Sequence, residues 1–108
     1  MKISRVFNLP VSANWAQAQT RRVQLDAETA GGAVTVNLPT VESVQEANAS
    51  GVEIYVNDFD ANAGVNNITV VSNAGAGDLI NGGVSVVVNI NADSFILKVA
   101  GDGSWTAL

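Results

Sequence analysis

The second half of the chain, residues 51–108, is a series of short apolar segments separated by turns rich in Asn, Gly and Asp. The alternate apolar residues of one such segment are Val84, Val86, Val88 and Ile90. A period of two predicts a β-strand with one buried face. Asn, Asp and Gly bracket this segment on both sides, and they tolerate the left-handed conformations of tight turns. The series predicts an all-β fold.

The first half of the chain shows two further strands and one helical segment. Residues 19–26 alternate Val23 and Leu25 with polar residues, and residues 33–39 alternate in the same way. Residues 40–49 have apolar side chains at helical spacing, with Thr40 as N-cap and Ser50 and Gly51 ending the helix. We expect only a turn or two of helix there.

The beginning of the chain has no clean period. Apolar residues occur in it without a register, and Pro10 interrupts it, so it reads as an extended arm or edge strand. No linker divides the rest. We therefore predict one domain, with an N-terminal arm over residues 1–19 and a β-domain over residues 20–108. The expected fold is a small antiparallel β-sandwich or barrel-like domain with at most one short helix.

Composition narrows the class of protein. Of the 108 residues, 47% are hydrophobic and only 14% are charged, which is little charge for a small monomer and favours an oligomer. No apolar run approaches the length of a membrane span, and the N-terminus has no signal-peptide block, so we expect a soluble protein without membrane contact.

Cysteine and histidine are both absent. Their absence removes disulfide and thiolate chemistry together with the commonest general base and transition-metal ligand. We therefore expect no enzymatic activity, no cofactor and no bound metal.

Charge is divided along the chain. The first 22 residues hold four of the five basic residues and no acid, and the remainder holds all ten acids. Such asymmetry indicates a basic arm on an acidic body, although the cations could also simply solvate one face. Nucleic-acid binding is not expected, because a chain of pI about 4.2 repels phosphate.

Several turn motifs carry a resemblance to a known class of domain. Asp58 ends a strand and is followed by the sequence NAGVNNIT at residues 62–69, DLING at residues 78–82 and DGSW at residues 102–105. This order, with GGAVTVNLP at residues 31–39, resembles the compact β-domain of tailed-bacteriophage structural proteins. That domain occurs in tail-fibre and receptor-binding heads and in capsid decoration proteins. An insertion at residues 73–77 departs from the pattern. The resemblance implies a homotrimer and a packing role for Trp105.

Two carboxylates, Asp58 and Asp60, allow three interpretations. Oxygen ligands two residues apart are typical of a calcium loop, but Ala63 and Thr69 replace the Gly and Glu that an EF-hand requires. A glycosidase pair is a second interpretation, since side chains at i and i+2 on a strand point the same way. Asx turns explain the same residues without metal or catalysis, and we favour them.

We therefore expect a bacteriophage virion protein, namely a capsid decoration or cement protein that binds and stabilises the head shell. Its partners would be the major capsid protein or other virion proteins. The alternative is a receptor-binding module of a tail fibre or spike that holds a host saccharide between aromatic and Asn or Asp side chains. For the decoration role, the predicted partner-binding residues are Lys2, Arg5, Phe7, Trp15, Arg21 and Arg22.

Overall fold

The computed structural model describes residues 1–11, 22–47 and 49–108. These residues form nine strands, one α-helix and two short 3-10 turns. The strands are β1 (Lys2–Ile3), β2 (Val6–Asn8), β3 (Arg22–Ala27), β4 (Val34–Asn37), β5 (Glu53–Asp58), β6 (Ile68–Val71), β7 (Ser85–Val88), β8 (Ser94–Val99) and β9 (Trp105–Ala107). The helix α1 is Val41–Glu46, and the 3-10 turns are Thr29–Gly31 and Ala74–Ala76.

The strands form two mixed sheets. One sheet has five strands in the order β1-β3-β5-β8-β9, and the other has four in the order β2-β4-β6-β7. In each sheet the first three strands pair with one another in parallel, and the remaining pairings are antiparallel. The all-β expectation with one short helix is confirmed at this level. The expectation of an antiparallel domain is wrong, because four of the seven strand pairings are parallel.

The parallel pairings arise from the path of the chain. Its first three circuits, β1-β2, β3-β4 and β5-β6, each add one strand to each sheet. Successive circuits are in register, so that Ile3 pairs with Ala27 and Ala27 pairs with Asp58. Parallel neighbours need a long connection between them, and here the opposite sheet supplies it. Strands β7 to β9 then close both sheets in the antiparallel sense.

Inward side chains of both sheets share one hydrophobic core. Leu25, Val36, Val56 and Val70 are completely buried in it. The predicted inward face of β4 is confirmed, as is the alternation of β3, where Leu25 is buried and Gln24 is exposed. Burial of branched apolar side chains on facing sheets is what stabilises these strands.

Helix α1 begins where the sequence predicts. The Thr40 hydroxyl accepts a hydrogen bond from the backbone N–H of Ser43 at 3.1 Å, which satisfies a free donor of the first turn. Val41 and Val44 face the core and are buried. Asp78 also contacts this end of the helix, since its carboxylate accepts a hydrogen bond from the N–H of Val41 at 3.0 Å.

The first eleven residues belong to the body of the domain. Strand β1 pairs with β3 and β2 pairs with β4, and both Ile3 and Leu9 are buried in the core. Of the two forms expected for this segment, an extended arm or an edge strand, the structure has two short edge strands within residues 1–11. Residues 12–19 of the predicted arm lie outside the described residues.

Candidate interaction surfaces

The polar residues that follow β5 converge on one buried carboxylate. Asp58 ends β5 and is only 3% exposed. One carboxylate oxygen accepts a hydrogen bond from the Thr29 hydroxyl at 2.5 Å. The other accepts hydrogen bonds from the backbone N–H groups of Ala63 and Ala92, both at 2.9 Å. We call Asp58, Thr29, Ala63 and Ala92 the Asp58 cluster.

The Asp58 cluster joins three connections that cross between the sheets. Thr29 lies between β3 and β4, Ala63 between β5 and β6, and Ala92 between β7 and β8. Thr29 is also buried, and its carbonyl accepts hydrogen bonds from the side-chain amides of Asn62 and Asn66 at 3.4 and 2.8 Å. The motif residues at 58–66 therefore fasten neighbouring connections to one another.

Hydrogen bonding keeps Asp58 ionised. Burial by itself raises the pKa of this carboxyl, because a charged group is disfavoured away from water. The hydrogen bonds from Thr29, Ala63 and Ala92 act in the opposite direction and together outweigh it, so the pKa of Asp58 lies below its ordinary value of 3.8. The negative charge is thus matched by donors from the fold itself.

Asp58 and Asp60 both bind the backbone of the fold, but they do not form the expected Asx turns, because Asp58 accepts from Ala63 and Ala92 rather than from the N–H of residue 60. Asp60 accepts a hydrogen bond from the backbone N–H of Ala30 at 3.0 Å, so both carboxylates hold the backbone of connecting segments. Within residues 1–11, 22–47 and 49–108, no three His, Cys, Asp or Glu side chains form a group able to hold a metal ion. Asp58 also lacks the solvent access that a glycosidase carboxylate requires.

The predicted partner-binding residues do not form one site. The Lys2 amino group lies 4.5 Å from the centre of the Phe59 ring, and the Arg22 guanidinium lies 5.0 Å from the centre of the Tyr55 ring. Both are cation–π pairs on the five-stranded sheet. Phe7 is half-buried and packs against the core from β2 in the other sheet. Trp15 and Arg21 lie outside the described residues.

Lys2 and Arg5 nevertheless mark one edge of the molecule. Strands β1 and β2 are the first strands of their sheets, and both cations are exposed beside them. Arg5 has a positive φ of 53° at the tight connection between these strands, and its carbonyl accepts a hydrogen bond from Thr35 N–H at 2.6 Å. We call residues 2–8 the N-terminal edge.

The outer faces of the two sheets differ in charge. Outward positions of the five-stranded sheet include the charged residues Lys2, Arg22, Asp26, Glu53 and Lys98. The outward positions of the four-stranded sheet are all uncharged, namely Val6, Asn8, Thr35, Asn37, Thr69, Val71, Ser85 and Val87. The uncharged face is a surface that the sequence analysis did not identify.

In the part of the chain that the structure describes, the exposed aromatic side chain is that of Phe59, at 47%. Trp105 is buried at the start of β9, in agreement with the packing role that the resemblance implies. Its indole N–H has no hydrogen-bond partner among the described residues. Tyr55 and Phe59 are each covered on one side by a cation. A stacked saccharide would have to displace those cations or use the other side of the rings.

No protein-family model matches this chain, and no curated protein matches it either. Among the described residues, no helix has the length and apolar character needed to cross a membrane. The N-terminal edge and the uncharged face of the four-stranded sheet are therefore the features that bear on function.

Proposed function

We propose that the protein is a bacteriophage virion structural protein, a capsid decoration or cement protein that binds the head shell through its N-terminal edge. The observation that carries this proposal is the position of the cations. Lys2, Arg5 and Arg22 all lie on or beside the first three strands, whereas Lys98 is the only other basic residue in the described ranges. Acids lie beside two of these cations, because Lys2 is in register with Asp26 and Arg22 with Glu53, so the proposal depends on Lys2 and Arg5 at the N-terminal edge.

Attachment at this edge would use two physical effects. Among the described residues, no strand pairs with the outer side of β1 or β2, and an extended segment of the major capsid protein or another virion protein can add to such an edge. Lys2 and Arg5 would orient that encounter if the partner surface is acidic. The resemblance to phage structural domains supports the same role, and it implies a homotrimer on the virion.

The test is a binding experiment with purified heads that lack this protein. We expect the double variant Lys2→Glu and Arg5→Glu to bind the heads at least tenfold more weakly, because like charges then face the shell. The single variant Lys98→Glu is the control, since it changes the charge of the body on β8, away from the N-terminal edge. Equal loss of binding by the two variants would contradict attachment through this edge.

Electron microscopy of intact particles tests the location separately. Density for this protein on the head supports the decoration role, and density confined to the tail contradicts it. In the second case a glycan array distinguishes the alternative, a saccharide-binding module of a tail fibre or spike. A decoration protein has no need to bind a host saccharide.

A further inference from the structure

The last strand of the four-stranded sheet has an exposed apolar edge. Within residues 1–11, 22–47 and 49–108, strand β7 pairs with β6 on one side only. Val87 within it is 41% exposed, and the residues that flank it, Val84 and Ile90, are 54% and 64% exposed. We call residues 84–90 the β7 edge. No charged residue occurs between Asp78 and Asp93, so the entire edge is uncharged.

Hydrogen-bond alternation shows which backbone groups of β7 are free. The N–H of Ser72 donates to the carbonyl of Val84 at 2.9 Å, so Val84 directs its backbone groups toward β6. In an antiparallel ladder this direction alternates from residue to residue. Val86 and Val88 therefore also bond to β6, whereas Ser85 and Val87 direct their N–H and C=O groups away from it.

The far edge of the five-stranded sheet shows how this chain protects an edge elsewhere. Beside β9, the Asn81 side chain donates to the carbonyl of Ala107 at 3.1 Å and accepts from its N–H at 3.0 Å. The side-chain amide thus takes the place of a neighbouring strand. The β7 edge has no such cover among the described residues, and it lacks the charge or proline that usually blocks pairing with another chain.

The β7 edge is also self-complementary. Its sequence, VSVVVNI, has the same order of apolar and polar residues when read from either end about Val87. In an antiparallel pair centred on Val87, Val86 lies opposite Val88 and Ser85 lies opposite Asn89, whereas Ile90 already belongs to the turn in which its carbonyl accepts from Asp93 N–H. Residues directly opposite each other point to the same face, so polar meets polar and apolar meets apolar throughout.

We propose that the β7 edge pairs with the β7 edge of a second copy of this chain, antiparallel, about a two-fold axis at Val87. The two four-stranded sheets would then form one continuous sheet of eight strands. The backbone N–H and C=O of Val87 point away from β6. In the pair, the N–H of each Val87 therefore donates to the C=O of the Val87 in the other copy. Each chain carries a net charge of −5, and this uncharged edge lets two such chains meet without charge repulsion at the contact.

The contact goes beyond the proposed attachment to the shell and leaves that attachment possible, but it sets a two-fold dimer in place of the homotrimer that the resemblance implies. Strand β2 lies at the opposite end of the four-stranded sheet from β7, so pairing through β7 leaves the N-terminal edge of each copy free. Solution mass tests the contact without capsids, and capsid binding tests the N-terminal edge. Failure of one proposal is therefore distinguishable from failure of the other.

The first experiment measures mass against protein concentration by analytical ultracentrifugation. We expect the unsubstituted chain to form a dimer, and the variant Val87→Lys to raise the dimer Kd at least tenfold, because two ammonium groups then face each other at the axis. Val6→Lys is the matched control. Val6 is 65% exposed and lies in the same row of the same sheet, but on the opposite edge. A monomer at all concentrations, or equal effects of the two variants, would overturn the proposal.

The second experiment uses the absence of cysteine from the chain. Val87→Cys introduces a single thiol, and opposite residues of a hydrogen-bonded antiparallel pair have Cα atoms about 5.5 Å apart, within disulfide range. Mild oxidation should give a covalent dimer of this variant and none of Val6→Cys. A trimeric mass combined with no disulfide in Val87→Cys would favour the three-fold assembly that the resemblance implies and would refute pairing through β7.

Discussion

The Asp58 cluster and the β7 edge invert the usual relation between polarity and burial. In the cluster, a carboxylate and a hydroxyl are buried and used completely by hydrogen bonds of the fold. At the β7 edge, Val84, Val87 and Ile90 are exposed and the backbone groups of Val87 are directed away from β6. The residues that look chemically active therefore hold the structure, and the residues that look like core are available for contact.

The two regions differ in what they leave free, because the polar side chains of the Asp58 cluster are occupied and the β7 edge is exposed. Buried polar groups are retained in folds when every partner is satisfied, and the Asp58 cluster meets that condition for its carboxylate. An exposed apolar strand without charge is uncommon in a monomer because it invites pairing with another chain. Substitutions in the Asp58 cluster should therefore affect the stability of the chain more than substitutions at the β7 edge.

Replacement of Asp58 should destabilise the fold most. Asp58→Ala removes the acceptor of three hydrogen bonds in a buried site, and we expect a loss of about 3 kcal/mol or more in the free energy of unfolding. Asp60→Ala is the control, because that carboxylate accepts one hydrogen bond in a partly exposed position and should cost about 1 kcal/mol. Urea unfolding measures both. Similar losses in the two variants would show that Asp58 has no special role.

Thr29→Val should have the next largest effect. The substitution keeps the shape of the side chain but removes the hydroxyl that donates to Asp58, so a buried carboxylate oxygen loses its donor. We expect a loss of about 1 to 3 kcal/mol in the free energy of unfolding. Thr29→Ser keeps the hydroxyl and should lose less, and the same urea experiment compares the two. A less stable Ser variant would mean that the methyl group, not the hydrogen bond, matters at this position.

Acid should weaken the domain through Asp58. The pKa of this carboxyl is lower in the folded chain than its ordinary value of 3.8, so its contribution to stability is complete above that value. The contribution is lost as the pH falls through the folded pKa. Asp58→Asn removes this titration, and its free energy of unfolding should depend less on pH below 3.8 than that of the unsubstituted chain. Parallel pH curves for the two proteins would contradict the assignment.

Local patterns in the sequence predicted local structure well. The cap at Thr40 and the alternation of residues 33–39 each depend on neighbours in the chain, and both are confirmed. The parallel sheets could not be predicted in this way, because side chains alternate identically in parallel and antiparallel strands. Strands β1 and β2 have two and three residues, too few to show any period. The turn interpretation of Asp58 expected bonds to neighbouring residues, but its contact with Thr29 spans 29 residues and is fixed only by strand register.

The β7 edge shows a further limit of periodicity. The period of two assigns Val84 and Ile90 to the inward face together with Val88, and that face is correct for the strand. However, β6 pairs only with residues 85–88, so the two flanking side chains extend past the part of the sheet that the core covers. A period tells which side of a strand a residue faces, and the length of the neighbouring strands decides whether that side is buried.

The smallest expected effect on stability is that of a substitution at Val87 in the β7 edge. Val87→Thr replaces a half-exposed methyl group by a hydroxyl that water can reach, so the free energy of unfolding of the monomer should change by about 0.5 kcal/mol or less. The matched change Val70→Thr, on the buried face of β6, should lower the free energy of unfolding by about 1 to 3 kcal/mol, because water cannot reach the buried hydroxyl. Both must be measured at concentrations where ultracentrifugation shows a monomer. If Val87→Thr lowered the free energy of unfolding of the monomer as much as Val70→Thr, Val87 would stabilise the fold of its own chain. That result would contradict the view that the β7 edge is free to bind a second copy.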